Sequence, residues 1–576
     1  MISRSPLRPA VPPTYRVLGA CLAVGLLGAV AALAFEAAVT LAQRLLLQGI
    51  TGYVPPRVGV LDPVVALPEW SQRWWLPVAL GLGGLLSGWL VFTLAPEAEG
   101  HGTDAAVGAY HRHAGEVRTR IPFIKGLASA ITIGSGGVAG REGPTAQISV
   151  GLGAILARML RLRGGERRIL LLAGMSAGLA AIFRAPLGMA IFAVEILYSG
   201  MVFESEALLY TVISAVTAYA IHGFFAGWSP IFAIPRGLAF DHPATLLGFA
   251  ALGLLAGVFG AVLPTLFYRV RDFFLRLPGP RHVKPALGGV LAGLIGMAAP
   301  QILGTGYGWV ELAMAGKLSM AVLLTILLLK APAMSLTIGS GGSGGVFAPT
   351  VTLGAMLGGV VGLLLQGALP QLGVVPAAFV VVGMAAIFSG AARTPLSTLI
   401  MVAEMTGGYR LIVPAMLANI LAFLVQSRLT AGWRYPTLYE SQVPTREDSP
   451  VHRGLFVRRA LELLEGGELD RSEVTLPRLV SLLRFGHPIP ITHRGGMLVT
   501  VEIAPGSALD GQTVAGGLGR MDGATAVAVL RGEEMLVPRG PTQLARGDQL
   551  IAVATAEGHE HLRELASAGP ESIPGS

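Results

Sequence analysis

The sequence predicts an all-α polytopic membrane protein built on an internal duplication, with a small α+β domain at its C-terminal end. Three observations carry this reading. Only 13% of the 576 residues are charged and 53% are hydrophobic, whereas a soluble chain carries about 25% charged residues. Residues 17–35 and 243–268 are uncharged, and 331–392 contain no Asp, Glu, Lys, Arg or His. Runs of that length cross about 30 Å of hydrocarbon. The third observation is a phrase written twice, TIGSGGVAGREGPT at 132–145 and TIGSGGSGGVFAPT at 337–350, 205 residues apart with no gap.

The echo extends in both directions. Lys125 and Lys330 keep the same offset, and GMSAGLAAIFRAPLGMAIFAVE (174–195) answers GMAAIFSGAARTPLSTLIMVAE (383–404), which pairs Glu195 with Glu404. A transmembrane domain over 1–440 is expected, with halves at about 15–235 and 243–430. In the first half, hydrophobic segments fall at about 15–47, 75–95, 121–139, 142–161, 167–200 and 206–235, followed by one at 243–268. They resume at about 285–300, 318–337, 346–365, 374–404 and 410–427. The first is too long, and too well followed by others, to be a cleaved signal peptide. Arg4, Arg8 and Arg16 with no acid place the N-terminus in the cytoplasm. The expectation is a multi-pass protein of a bacterial inner membrane with both termini cytoplasmic.

Breaks at Gly140, Gly143-Pro144, Gly345 and Pro349 strand backbone N–H groups at membrane depth. Such groups are tolerated only when buried in protein or facing a polar ligand. In matching positions of two halves they point to a substrate site. A helix start offers free N–H groups and partial positive charge, and so attracts anions. Three glycine-rich breaks meet helix starts: GHGTD (100–104), GREGP (140–144) and GVFAP (345–349). Converged, they form a pocket for a small anion without a full positive charge, which favours release as well as binding.

These motifs, the duplication, and the tyrosine of PTLYESQVP together resemble the CLC family of chloride channels and chloride/proton exchangers, over roughly residues 15–445. The resemblance implies a fold of inverted repeats with broken helices, a homodimer with one pore per subunit, and chloride or a similar small anion as the transported species. It implies that Glu142 is a protonatable gate that competes with the anion. The amides of Val346 and Phe347 and the hydroxyl of Tyr439 are implied to hold the central anion. Gly140, Arg141 and Gly143 are implied to shape the outer site, Gly102 is implied to bind the anion beside His101, and Gly100, Pro144, Gly345 and Pro349 complete the motifs. The repeat pairs Phe347 with Glu142, so only one half carries the gate. Two positions depart from the family pattern. His101 stands where a serine is common, and its imidazole can still donate to an anion. Ile196 stands where proton-coupled members carry a second glutamate, and an apolar side chain relays no protons. A passive channel and a proton-coupled exchanger are both open at this point. Asp104, where the family has proline, reads as a helix cap. Glu195 and Glu404, at the ends of apolar helices, read as structural.

Beyond residue 440 the chain turns polar. Residues 441–490 read as a linker with an amphipathic helix over 454–485, and 568–576 as a disordered tail. Between them, 497–503, 525–530 and 549–555 pattern as strands, and GHEHLRELAS as a closing helix. Residues 497–566, with APGSALDGQTV and the Gly-Asp before the last strand, resemble the C-terminal half of the RCK (TrkA-C) module of potassium channels and transporters. The domain expected over 491–567 is therefore a dimerising regulatory unit. The resemblance implies a small nucleotide such as cyclic di-AMP as one ligand, beside a purely structural clamp.

Other readings fit less well. A potassium-uptake protein would need filter loops that are absent, and helix starts repel cations. A fluoride exporter would carry an Asn-rich first motif. An intramembrane protease using Ser135 or Ser340 with His101 has no unique nucleophile, because the GSGG phrase is doubled. No enzyme activity is expected. The His111-Arg112-His113 run reads as a solvated basic loop, and the lone Cys21 excludes an intramolecular disulfide and a cysteine cluster, so neither metal nor cofactor is expected. The net charge of +8 is assigned to cytosolic loops and tails rather than to nucleic-acid binding.

Overall fold

A computed structural model of the chain describes residues 15–59, 68–162, 164–235, 238–240, 242–452, 489–490, 497–518, 523–531 and 534–567. The chain divides into two units, Met1–Arg446 and Glu447–Ser576. The amphipathic helix expected over 454–485, the tail at 568–576, and Arg4 and Arg8 lie outside the described residues.

The first unit is helical, and each helix of its first half has a counterpart in the second. The first half holds α1 (Tyr15–Ala42), α2 (Trp75–Leu94), α3 (Thr103–His111), α4 (Ile121–Gly134), α5 (Glu142–Met159), α6 (Gly165–Phe183), α7 (Pro186–Glu195) and α8 (Ser205–Ala226). The second holds α9 (Thr245–Arg276), α10 (Lys284–Ala298), α11 (Tyr307–Met314), α12 (Met320–Gly339), α13 (Phe347–Ala368), α14 (Pro376–Ala392), α15 (Pro395–Thr406) and α16 (Ile412–Leu429). Backbone angles repeat with the sequence: φ is 101° at Gly136 and 103° at Gly341, and 51° at Arg184 and 55° at Arg393. Among the described residues, seven helices are long and apolar enough to cross a membrane. The protein is a multi-pass integral membrane protein.

The structure redraws several expected boundaries. The apolar stretches 167–200 and 374–404 are each two helices, α6–α7 and α14–α15. Arg184 and Arg393 end the first of each pair in left-handed conformation, and Pro186 and Pro395 open the second. A residue before proline is disfavoured in the helical region, and proline is preformed for a helix start. For the same reason Pro144 and Pro349 are not breaks: each is the third residue of its helix, inside α5 and α13. The irregular backbone lies upstream of them, at 135–141 and 340–346.

Small residues set the packing, because lipid gives no hydrophobic force between helices and close contact must come from backbone approach. A Cβ on Gly354 would strike the Gly383 carbonyl oxygen, and one on Gly358 the Phe379 carbonyl oxygen, so α13 lies directly on α14. Residues Phe347 to Gly362 are all buried, which seals the first turns of α13 from lipid.

The two halves also cap each other. Glu195, at the end of α7, accepts from the amides of Leu396 (3.1 Å) and Ser397 (2.8 Å) at the start of α15. Glu404, near the end of α15, accepts from Leu187 (3.2 Å) and Gly188 (2.8 Å) at the start of α7. Both glutamates are therefore structural, and the reciprocity is that of a local two-fold relating inverted repeats.

The second unit holds a five-stranded antiparallel sheet in the order β1-β2-β5-β3-β4, with β1 Ile489–Pro490, β2 Met497–Glu502, β3 Ala524–Arg531, β4 Glu534–Leu536 and β5 Gln549–Ala554. In the central register Met497 faces Ala554 and Val501 faces Leu550. A helix α17 (Ala556–Ala566) contributes Leu562 and Ala566 to a core with Val499, Val501, Val529 and Leu550. The Gly-Asp before β5 has a physical role. Gly547 has φ 81°. The buried Asp548 carboxylate takes a forked pair from Arg531 at 2.9 and 2.7 Å, and the Ala545 amide at 2.8 Å.

Burial alone would push the Asp548 carboxyl up, but the Arg531 pair and the Ala545 amide outweigh it and hold it below the usual carboxylate range. A depressed carboxylate stabilises the fold above its unfolded pKa of about 3.9 and loses that contribution as pH falls through the lower folded value. Asp548→Asn is expected to destabilise this domain by about 1–3 kcal/mol at pH 7. The gap to wild type should close below about pH 4. Amide exchange of β2 and β5 in the full chain, followed against pH, measures both.

Candidate functional site

Three helix starts meet at the centre of the first unit. Gly140 and Gly345 form an antiparallel bridge, with the Gly140 amide donating to the Gly345 carbonyl at 2.7 Å and the reverse bond at 2.8 Å. The starts of α5 and α13 therefore face each other across a local two-fold. The third start, α3, closes on the same point. A Cβ on Gly102 would collide with the Gly143 carbonyl oxygen, one on Gly143 with that of His101, and one on Gly345 with the Gly143 amide. The glycines of the three motifs thus permit backbone-to-backbone contact that any side chain would forbid.

Glu142 opens α5 and is 4% exposed. Its Oε1 accepts from the Tyr307 hydroxyl at 2.6 Å. Its Oε2 has no hydrogen-bond partner and lies against Gly140, Gly345 and Ala348. The carboxylate thus occupies the space at the start of α13, where helix-start amides favour negative charge. Phe347, the repeat counterpart, sends an apolar ring between Phe183 and Phe388, with centroids at 4.8 and 4.6 Å.

On the opposite side of the bridge stand His101 and Tyr439. Their rings meet edge to face at 5.3 Å, and Phe267 closes on His101 at 5.8 Å. His101 is 7% exposed, and its Nδ1 has no hydrogen-bond partner. Tyr439 is buried, with its hydroxyl within hydrogen-bonding reach of Thr103. Tyr439 belongs to no helix; it lies on an irregular strap after α16. Asp104 holds that strap, accepting from the Ser441 amide at 2.7 Å and the Ser441 hydroxyl at 2.8 Å. Its side chain makes no capping bond to α3, so the cap expected from sequence is instead a latch. Gln442 adds bonds to the carbonyls of Ile196 and Ala392, both at 3.0 Å.

Two cavities approach this centre. One of about 370 Å³ is lined by Glu99, His101, Asp104, Phe267, Arg271 and Glu440. The other, of about 260 Å³, is lined by Arg57, Arg141, Thr305 and Tyr307 among others. Arg141 turns its guanidinium to Glu36 at 2.9 Å, and His222 holds the other Glu36 oxygen at 3.2 Å. Its side chain thus braces the rim of this second cavity, leaving its backbone at the centre. Ile196 is completely buried. His111, in the run read as a solvated loop, is buried and bonded to the Leu197 carbonyl at 3.0 Å. No group of three or more His, Cys, Asp or Glu able to hold a metal occurs among the described residues.

Sequence reasoning missed Tyr307. It opens α11, the counterpart of α3, at the position that Thr103 occupies in the first half. The signal was present: GTGY (304–307) follows the same buried-lysine pattern as GHGT (100–103). Lys125 Nζ donates to the carbonyls of Ala98 (2.9 Å) and Gly100 (2.7 Å), and Lys330 Nζ to those of Ile302 (2.7 Å) and Gly304 (3.0 Å).

Residues 83–427 match the family model described as voltage gated chloride channel, and residues 498–567 match the TrkA-C domain. The chain is 33% identical over 366 residues to the H(+)/Cl(-) exchange transporter ClcA of Yersinia pestis bv. Antiqua, covering 62% of this chain and 76% of that protein. It is 32% identical over 424 residues to the transporter of the same name from Salmonella arizonae, covering 72% and 86%. A solved slow cyanobacterial Cl-/H+ antiporter superposes with a TM-score of 0.63 at 25% identity, over 74% of this chain and 97% of that one. A CLC-type fluoride/proton antiporter shares the fold, with a TM-score of 0.62 at 20% identity, over 75% and 100%.

The glycine contacts give a matched pair of tests. Gly345→Ala sets a methyl against the Gly143 amide and Gly140 carbonyl and is expected to destabilise the membrane unit by about 1–3 kcal/mol. Gly367→Ala, further along α13 with nothing within 4 Å, should be neutral or stabilising by up to about 1 kcal/mol. Thermal unfolding midpoints in detergent compare the two.

Proposed function

This chain belongs to the voltage gated chloride channel family, and on that premise we propose that it exchanges chloride for protons across the membrane, with Glu142 as the group that both ions contend for. The observation that carries this reading is the Glu142 carboxylate. It is buried, it lies at the meeting point of three helix starts, and only one of its oxygens is hydrogen-bonded. A negative side chain in that place stands in for an anion. Protonation removes its charge and its hold on the helix-start amides, so a chloride ion can replace it. Proton and anion occupancy are then alternatives at one site, which is what exchange requires.

The remaining roles follow from position. The amides at Val346 and Phe347, the Tyr439 hydroxyl and the unpaired His101 nitrogen surround the inner anion position. Gly140, Arg141 and Gly143 offer backbone to the outer one. Tyr307 holds the carboxylate form of Glu142 in the pore through its 2.6 Å hydrogen bond. Ile196 takes no part in proton transfer. Water carries protons to Glu142, a route that needs no glutamate at 196. The subunits pair as a homodimer, and the C-terminal domain regulates transport, with a cyclic dinucleotide as the ligand to test first by calorimetry on the full chain.

Chloride uptake into proteoliposomes against its gradient, driven by a proton gradient, tests the central reading. Chloride movement that ignores the proton gradient would leave a passive channel instead. In the exchanger, Glu142→Gln is expected to abolish proton flux while chloride flux persists.

Tyr307→Phe removes a hydrogen bond to a charged group, worth about 1.5–3 kcal/mol. Arg141, with its partners Glu36 and His222, and Tyr439 are the other charged or titratable groups around Glu142, and they are unchanged. Chloride flux at neutral pH should therefore rise relative to wild type, because the carboxylate loses the bond that holds it in place. The same change made on Glu142→Gln should leave flux unaltered.

A further inference from the structure

A separate cavity of about 840 Å³ opens at the last turns of α9. It is lined by Val262, Leu266, Arg269, Phe273 and Arg276 of α9, and by Trp433, Arg434 and Tyr435 of the turn after α16. The α9 residues fall on one face at helical spacing. That face is exposed along most of its length, with Leu266 half-buried, and its chemistry changes along the axis. Leu254, Leu255, Val258 and Val262 are 44–53% exposed apolar side chains, inside the uncharged run that ends at Tyr268. Arg269 and Arg276 then follow on the same face, with Phe273 57% exposed between them. A helix of 32 residues rises about 48 Å, more than the roughly 30 Å of hydrocarbon. The change from apolar to basic therefore falls where acyl chains give way to headgroups.

The charge balance of the cavity is positive and unspent. Arg269 and Arg276 have no ion-pair partner among the described residues. Arg434 is 74% exposed and only 3.9 Å from Asp272. Asp272 is already bonded by Arg271 at 3.4 Å and receives the Tyr435 hydroxyl. Trp433, 44% exposed, supplies the amphipathic ring that favours the membrane interface. Guanidinium groups match a phosphate by paired N–H donors, and a basic pocket beside a span at this depth suits an anionic headgroup.

We propose that this cleft binds an anionic phospholipid, with its phosphate among Arg269, Arg276 and Arg434 and an acyl chain along Leu255, Val258 and Val262. The site is linked to the pore by two contacts. Tyr435 stacks on Tyr268 at 4.8 Å, and the Tyr268 hydroxyl donates to the Leu438 carbonyl at 2.7 Å. Leu438 immediately precedes Tyr439. Lipid bound here steadies the strap that holds the pore tyrosine, so transport depends on anionic lipid.

Native mass spectrometry of the full chain, purified with phosphatidylglycerol, reads binding without reference to transport. Wild type should retain phosphatidylglycerol in preference to phosphatidylcholine. Each Arg→Gln change among the three should weaken retention about fivefold, and Arg→Lys should restore most of it. Equal retention by wild type and the Arg269→Gln/Arg276→Gln/Arg434→Gln variant overturns the proposal, and single variants serve where the triple fails to fold. The consequence for transport rests on the exchange reading above. Chloride flux should rise with phosphatidylglycerol content for wild type and stay flat for the variant. Inorganic phosphate added to neutral liposomes separates the sources: activation by phosphate alone would make this a soluble-anion site and overturn the lipid assignment. Lipid retention with no transport at all would fault the exchange reading and leave the site standing.

Discussion

The constraint on which this fold depends is that backbone N–H groups exposed by a helix start cannot be left unpaired inside a membrane. The Gly140–Gly345 pair meets it at the centre, where two such starts meet. Each glycine gives its amide to the other and takes the other's in return. Two hydrogen bonds thereby join the halves of the molecule where both are irregular. Every side chain assigned to the pore is positioned by what that pairing brings together: Glu142 two residues beyond Gly140, Phe347 two residues beyond Gly345, and the α3 start wedged against Gly143.

The same constraint assigns the buried carboxylates their different fates. Glu195 and Glu404 each spend both oxygens on the helix start of the opposite half, so neither has an oxygen to spare for an ion. Glu142 differs because one oxygen is held by the Tyr307 hydroxyl while its Oε2 finds no partner. A carboxylate that is fully bonded to a helix start is a structural element. One that is half bonded can leave and be replaced. On the proposed reading, cap and gate differ in their count of hydrogen bonds, not in residue type.

Much of this was legible in the sequence, because duplication turns one chain into its own comparison. The doubled phrase located the α5 and α13 starts, and the matched Glu195 and Glu404 fell out as structural. What stayed hidden lies where the offset changes. It is 204 between Gly100 and Gly304, 205 between Gly140 and Gly345, and 209 between Glu195 and Glu404. A gapless comparison at 205 therefore misses that Tyr307 is the counterpart of Thr103. The short helices α3 and α11 also lack the length that hydrophobic patterning needs. Asp104 was misread for a different reason. An acid in a first turn is usually local in its bonding, and its partner Ser441 is 337 residues away. In the C-terminal domain, β2, β3 and β5 were visible from alternation, while β1 and β4, of two and three residues, are too short to pattern.

The buried lysines complete the physical account. Lys125 and Lys330 are fully buried, and each binds two carbonyl oxygens of the turn that leads into α3 or α11. Those carbonyls are the ones turned away from the helix start, so the ammonium groups sit behind the backbone rather than in the pore. A charge in that position raises the attraction for an anion at the centre through the low-dielectric interior. Two of its three donors are taken by carbonyls, which hold the ammonium at the turn. A lysine in direct contact would trap the ion, whereas one held a turn away contributes field without a bond to break on release. The pair is duplicated where Glu142 and Phe347 are not. The buried lysines are therefore shared by the two halves, whereas Glu142, the Tyr307 hydroxyl that holds it and the His101–Tyr439 pair have no matching groups in the other half.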